Sequence, residues 1–297
     1  MWADRYDRDL KDIFALQDEI TLKVITALQV KLTEGEQARL MGKGTDNLEA
    51  YLKYLRGREH SRSMNKDDNV MSRQMAEKAI ALDSNYAAPY ALLAYTYFMD
   101  VWFRSSKSPK ESLARSFELA QKSLNIDDSL PTTHRILSGI YLQKRQYENA
   151  IAEAERALAL DPNSADNHAG LGRVLYYAGR PEEAIQLFKK AIRLNPIPES
   201  FYLYSLGMVY IITGRYEEAI TACRKALHTE PKNLFAHVVL AASYSLSGRQ
   251  EDARAEAAEV VTIQPKFSLG YFAKTVPFKK QVDLERLVNA LRKAGLK

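Results

Sequence analysis

Cysteine is all but missing from this chain of 297 residues: Cys223 stands alone, which excludes an internal disulfide and any metal site built on paired cysteines. Long apolar runs are missing as well. No stretch of about eighteen apolar residues is there to span a membrane, and the opening MWADRYDRDLKD has neither the basic nor the apolar part of a secretory leader. Charge of one sign is also scarce, with 42 Lys and Arg against 37 Asp and Glu. The small excess sits in the tail, where Lys266 to Lys297 holds eight basic residues and two acidic ones. A nucleic-acid binder carries its basic stripe along the body of the fold, so the expectation is a cytoplasmic protein without a nucleic-acid partner.

Apolar residues are plentiful at 46%, enough for a continuous core, and they are organised by repetition. GRPEEAI at 179–185 returns as GRYEEAI at 214–220 and GRQEDAR at 248–254, with RQYENAI at 145–151 as a looser copy. A return every 34 or 35 residues marks an architectural unit. Around Leu171-Gly172 and Leu206-Gly207 the other rungs align: Ala150, Ala184, Ala219 and Ala253; Ala157, Ala191, Ala226 and Val260; Tyr141, Leu175, Tyr210 and Tyr244; and the closing prolines Pro162, Pro196, Pro231 and Pro265. Small residues let two helices cross at close range, glycine accepts the positive φ of a helix end, and proline stops the second helix. Each hairpin is too short to persist alone in water, so the units must stack into a solenoid.

These rungs resemble the tetratricopeptide repeat. The expected fold is all-α, a right-handed α-solenoid of about six units at 47–86, 87–130, 131–164, 165–199, 200–233 and 234–267. The second unit carries about ten extra residues, VWFRSSKSPK, whose loop entropy costs only about 1 kcal/mol. Residues 268–297 hold a basic tail and a capping helix with Leu284, Leu287, Val288 and Leu291 on one stripe, Asp283 as N-cap and Gly295 as stop. Its charges read as the solvated face of the cap. Residues 1–46 contain an amphipathic helix over 10–32, expected to pack on the solenoid edge, lie in its groove, or pair with a second copy as a homodimer.

Candidate chemistry is thin, and no catalytic, cofactor or metal site is expected. His134, His168 and His237 recur at one repeat position, which stacking would separate by about 10 Å, too far to share one metal. GKGT at 42–45 lacks the first glycine of a phosphate loop, and SMNK at 63–66 has no partner motif. Cys223 falls at an apolar helix position and reads as a buried hydrophobe.

Both ends carry a second resemblance. WADRYDRDLKDIFALQDEI resembles the exit of the TolB-like domain of bacterial signalling proteins, YLKYLRGRE the opening of the repeats that follow it, and PFKKQVDLERLVNALRKAGL the ending of such proteins. That resemblance implies the C-terminal regulatory or docking region of a longer protein, most often a class III adenylate or guanylate cyclase, with no enzyme activity in this portion itself. A free-standing scaffold, or the arm of a winged-helix regulator, is the alternative.

In tetratricopeptide arrays the first helix of each unit lines the concave face. The resemblance carries that role here onto Tyr95, Phe98 and Met99; Arg135, Leu142 and Gln143; Arg173, Tyr176 and Tyr177; Phe201, Tyr204, Met208, Ile211 and Ile212; and Phe235, Val238 and Leu246. The implied groove is apolar and aromatic, with two arginines near its middle, and suits an amphipathic helix or an apolar peptide. The positions that resemble a carboxylate clamp hold Ala169 with Arg173 and Tyr204 with Met208, so the clamp is absent.

Overall fold

The computed structural model describes residues 44–297 apart from Met64, Arg104 and Pro196. The segment 10–32, the dimer contact through it and the first two residues of GKGT lie outside the described residues. Among those described, twelve helices form six antiparallel pairs: α1 Leu48–Arg62 with α2 Lys66–Leu82, α3 Ala87–Trp102 with α4 Pro109–Ile126, α5 Pro131–Gln143 with α6 Tyr147–Leu160, α7 Ala165–Tyr177 with α8 Pro181–Leu194, α9 Ser200–Ile212 with α10 Tyr216–Thr229, and α11 Leu234–Leu246 with α12 Gln250–Ile263. Two more follow, α13 Leu269–Thr275 and α14 Gln281–Lys293, and no strand occurs among the described residues.

The repeat rungs do what their sizes dictate. Ala150, Ala184, Ala219 and Ala253 are all fully buried at the crossing of the two helices of a unit. A Cβ added to Gly172 would meet the ring of Phe188 at 3.1 Å and the carbonyl of Ala184 at 3.4 Å, so the first helix lies directly on the second. In the third unit Ser138 stands at that place and donates to the Ala150 carbonyl at 2.8 Å. Units are tied to one another by buried polar side chains: Asn167 Nδ2 donates to the Ala157 carbonyl, and the Ser123 and Thr133 hydroxyls share a hydrogen bond at 3.0 Å, while Ser200 Oγ joins the two helices of its own unit by donating to the Ala226 carbonyl.

From the fourth unit on, every first helix ends in the same way. Gly179, Gly214 and Gly248 adopt φ of 86°, 76° and 81°, and the N–H groups of Arg180, Arg215 and Arg249 reach back 2.8 Å to the carbonyls of Leu175, Tyr210 and Tyr244. The third unit makes the same turn with Arg145 at φ 57°, the sole non-glycine residue at positive φ among those described.

The insertion in the second unit is taken up mostly as helix. Here α3 and α4 run 16 and 18 residues against 13 and 14 in the third unit, leaving 103–108 between them. Asp100 holds this connection: it accepts from the Ser105 hydroxyl at 3.0 Å and pairs with Arg73 at 2.6 Å. Extending both helices satisfies backbone groups that a long loop would leave to water.

The cap differs from expectation in two respects. Helix α14 starts at Gln281, with Lys280 as N-cap and Asp283 already inside its first turn and buried, because the preceding chain is fixed against the array up to Lys280. Its basic side chains are not all solvated: Arg286 donates to the Ile212 carbonyl at 2.8 Å. Gly295 does end the helix, at φ 106°. Leu284, Leu287, Ala290 and Leu291 are buried, and α14 lies on α11.

Candidate protein-binding groove

The first helices α3, α5, α7, α9 and α11 lie side by side along the array, and burial divides the expected lining into two sets. Phe98, Met99, Leu142, Tyr176, Tyr177, Met208, Ile211 and Val238 are buried, none above 7% exposed. Tyr95, Arg135, Gln143, Arg173, Phe201, Tyr204, Ile212, Phe235 and Leu246 are half-buried.

Part of the buried set is covered by the protein's own C-terminal segment, which sequence reasoning missed. After α12 the chain turns through α13 and runs as a strap, residues 276–280, past the ends of α5 and α7. Phe278 sits edge-on to Tyr177 at 4.9 Å between ring centroids and 6.2 Å from Tyr176. The N–H of Lys279 donates to the Tyr177 carbonyl at 2.8 Å. Arg145 donates to the carbonyls of Phe278 and Val276 at 2.9 and 3.2 Å, Lys279 pairs with Glu148 at 3.0 Å, and the stem of Lys280 lies over Gly179. Helix α14 then runs back past Ile212, and the Leu269 N–H closes the element on the Lys297 carbonyl at 2.7 Å. The one signal in the sequence was Arg145, a residue with a Cβ where the other copies have glycine.

A non-glycine residue in left-handed backbone costs about 1 kcal/mol, and here its guanidinium grips the strap. Arg145→Gly is therefore expected to leave the melting temperature of the array within a few degrees of the parent while trypsin cuts after Lys279 and Lys280 faster. Unchanged proteolysis together with a higher melting temperature would mean that the grip contributes nothing.

The half-buried set forms an aromatic wall. Phe201 meets Tyr204 edge-on at 5.8 Å, Tyr204 stacks on Phe235 at 5.4 Å, and Phe235 meets Trp102 of α3 at 5.5 Å, so the solenoid curls until its second unit touches its sixth. Burial pushes the phenols of Tyr95, Tyr176, Tyr177 and Tyr204 up, which leaves them neutral.

Arg135 and Arg173 cross one another's helices. Arg135 on α5 lays its stem 3.5 Å from where Gly170 of α7 would carry a Cβ, and Arg173 on α7 brings Nη2 to 3.3 Å from the same point on Gly139 of α5. The Arg173 guanidinium stands 5.6 Å from the centroid of Phe201.

The recurring histidines serve the hairpins. His134 and His237 each place Nδ1 beside a carboxylate nineteen residues on, Glu153 at 2.7 Å and Glu256 at 2.6 Å, and Nε2 on a carbonyl at 3.0 Å. His168 keeps only the carbonyl, since Leu187 stands where its acid would be. Among the described residues no three His, Cys, Asp or Glu come together as metal ligands. Cys223 is fully buried, and burial pushes its thiol up, away from the reactive thiolate.

Comparison with known proteins agrees with this geometry. The model of the family described as anaphase-promoting complex, cyclosome, subunit 3 matches residues 143–226. These helix pairs are tetratricopeptide repeats. Among solved structures, the Cut9–Hcn1 heterotetramer superposes with a TM-score of 0.61 at 16% identity over 82% of this chain and 43% of that one. TTC0263 from Thermus thermophilus, a thermophilic protein of the same repeat, gives 0.53 at 18% identity over 65% and 98%. Among curated proteins, "Putative adenylate cyclase 3" of Rhizobium meliloti (strain 1021) is 36% identical over 141 residues, 46% of this chain and 24% of that one. Superkiller protein 3 of Saccharomyces cerevisiae (strain ATCC 204508 / S288c) is 36% identical over 62 residues, 21% of this chain and 4% of that one. The chain thus matches a quarter or less of these relatives' lengths. No helix among the described residues is long and apolar enough to cross a membrane.

Proposed function

We propose that this tetratricopeptide array is a protein-interaction module, and that it serves as the C-terminal regulatory or docking region of a bacterial signalling protein similar to an adenylate cyclase. The observation that carries the first part is the aromatic wall of Phe201, Tyr204 and Phe235, half-buried, with the half-buried Arg173 guanidinium 5.6 Å from the Phe201 centroid. A wall of this kind suits a partner with apolar or aromatic side chains, and tyrosines hold such a partner at low entropic cost. The similarity to the Rhizobium cyclase and the resemblance of both chain ends support the second part.

The basic tail argues against nucleic acid as partner. Lys279 and Arg286 are turned onto the array by Glu148 and the Ile212 carbonyl, which breaks up the positive stripe that phosphates require.

The groove is testable with amphipathic helical peptides derived from the native proteome of the source organism. Tyr95→Ala/Tyr204→Ala is expected to weaken the peptides that bind by tenfold or more, each aromatic contact contributing about 1 kcal/mol beyond its area. Equal affinity for parent and variant would place the partner off the concave face. The signalling role is read directly from the intact gene: a cyclase domain upstream of residue 1 is expected, and cyclase output that ignores deletion of the array would contradict a regulatory role.

A further inference from the structure

Stacked helical repeats ordinarily touch only their neighbours, and this array departs from that rule where its second unit meets its sixth. Trp102 lies edge-on to Phe235 at 5.5 Å between ring centroids, with three whole units between them in the chain. Both residues belong to first helices, so the contact closes the array on the side that those helices line. Charge carries the same message: the Glu199 carboxyl at the start of α9, raised by burial and by Asp166, is drawn part of the way back by Arg135 and by Arg62, the last residue of α1.

The insertion supplies the residue that makes this contact. Helices α5, α7, α9 and α11 are each 13 residues long, whereas α3 has 16, and its surplus is the turn Asp100-Val101-Trp102. A first helix of ordinary length would end at Met99, short of Phe235. The surplus turn is fixed at its base: Asp100 accepts from Arg73 Nη2 at 2.6 Å and from Asn69 Nδ2 at 2.9 Å, both on α2, so the indole stands on a rigid arm.

The closure is narrow enough to be undone. Helices α3 and α11 do not otherwise pack broadly on each other. Trp102 Nε1 is buried there without a hydrogen-bond partner, a cost that water removes once the rings part. Behind the contact Phe235 stacks on Tyr204 and Tyr204 meets Phe201, so parting the rings uncovers the aromatic wall.

We propose that the surplus turn of α3 is a latch: Trp102 seated on Phe235 holds the second and sixth units together, and parting this contact opens the face of the first helices to a partner. The purpose of the latch rests on the interaction-module reading, whereas the latch itself is a property of the free chain. A contact with an open and a closed state lowers the apparent affinity for a partner by the fraction of molecules that are open, so removing it raises that affinity.

Nitroxide labels at Glu118→Cys on α4 and Glu259→Cys on α12, both exposed positions, read the closure by pulsed electron paramagnetic resonance in the full chain carrying Cys223→Ala. With Trp102 in place one narrow distance distribution is expected, and Trp102→Ala should shift it to longer distances. The unlabelled Trp102→Ala chain should also bind severalfold more anilinonaphthalene sulfonate, a dye that fluoresces on exposed apolar surface. Phe235→Ala removes the other ring and supplies a second distance reading should Trp102→Ala fold poorly. A broad distribution with both rings present, or distances unmoved in both variants, would overturn the latch. Labels that move while amphipathic helical peptides bind neither the closed nor the opened form would leave the latch standing and count against the interaction module instead.

Discussion

Phe278→Ala is expected to destabilise the protein by about 3 to 4 kcal/mol, the cost of emptying a buried aromatic site that collapses only in part. The ring is 3% exposed and lies within the larger of two apolar clusters, which runs from Leu142 to Leu296. Its loss removes the edge-on contact to Tyr177 and loosens a segment whose remaining anchors are the Lys279 N–H, the Arg145 grip and the exposed Lys279–Glu148 pair. The exposed pair contributes little, so the strap should open together with α14. Urea unfolding of parent and variant measures the loss. A difference below about 1 kcal/mol would show that Phe278 is not seated against the two tyrosines.

The second large effect lies in the fifth unit. A Cβ on Gly207 would stand 2.6 Å from Cys223 Sγ, 3.2 Å from Val239 Cγ1 and 3.3 Å from the Ala219 carbonyl. Gly207→Ala should therefore cost about 2 to 3 kcal/mol by overpacking, against the gain of about 1 that alanine brings to an ordinary helix interior. Because the shortest contact is to one removable atom, Cys223→Ala should rescue it. The double variant is expected to be more stable than the sum of the two single changes predicts, by at least about 1 kcal/mol. Additive losses would mean that the helices separate to admit the methyl group without meeting the sulfur.

Much of the fold can be read from the sequence because its demands are local. A positive φ at Gly179, Gly214 and Gly248, a zero-exposure alanine at the helix crossing, and a proline at the end of a hairpin each restrict one position to one or two residue types, and the regular spacing repeats the restriction. The insertion after Asp100 was visible too, though not its conversion into extra helical turns beside the pair that Asp100 makes with Arg73 of the preceding unit.

The strap was not legible. Its anchors join residues more than 100 positions apart, and they are mostly backbone carbonyls, which carry no sequence signature. Phe278 followed by two lysines reads like any solvated turn until Tyr177 is placed beside it. The groove residues were named from the repeat register, but whether a lining side chain faces a partner or the protein's own tail depends on that same long-range fold. Tyr176, Tyr177 and Ile211 are buried, whereas Tyr95, Arg135, Arg173 and Tyr204 remain half-buried, and the docking surface proposed above is confined to the latter.

The C-terminal segment lies back across the stacked repeats, and hydrogen exchange at single-residue resolution tests this most directly. The amides of Lys279 and Leu269, bonded to the Tyr177 and Lys297 carbonyls, are predicted to exchange as slowly as those in the middle of α14 and far more slowly than a free peptide. Exchange of both at the free-peptide rate, with α7 and α9 still protected, would show that the strap does not close on the array.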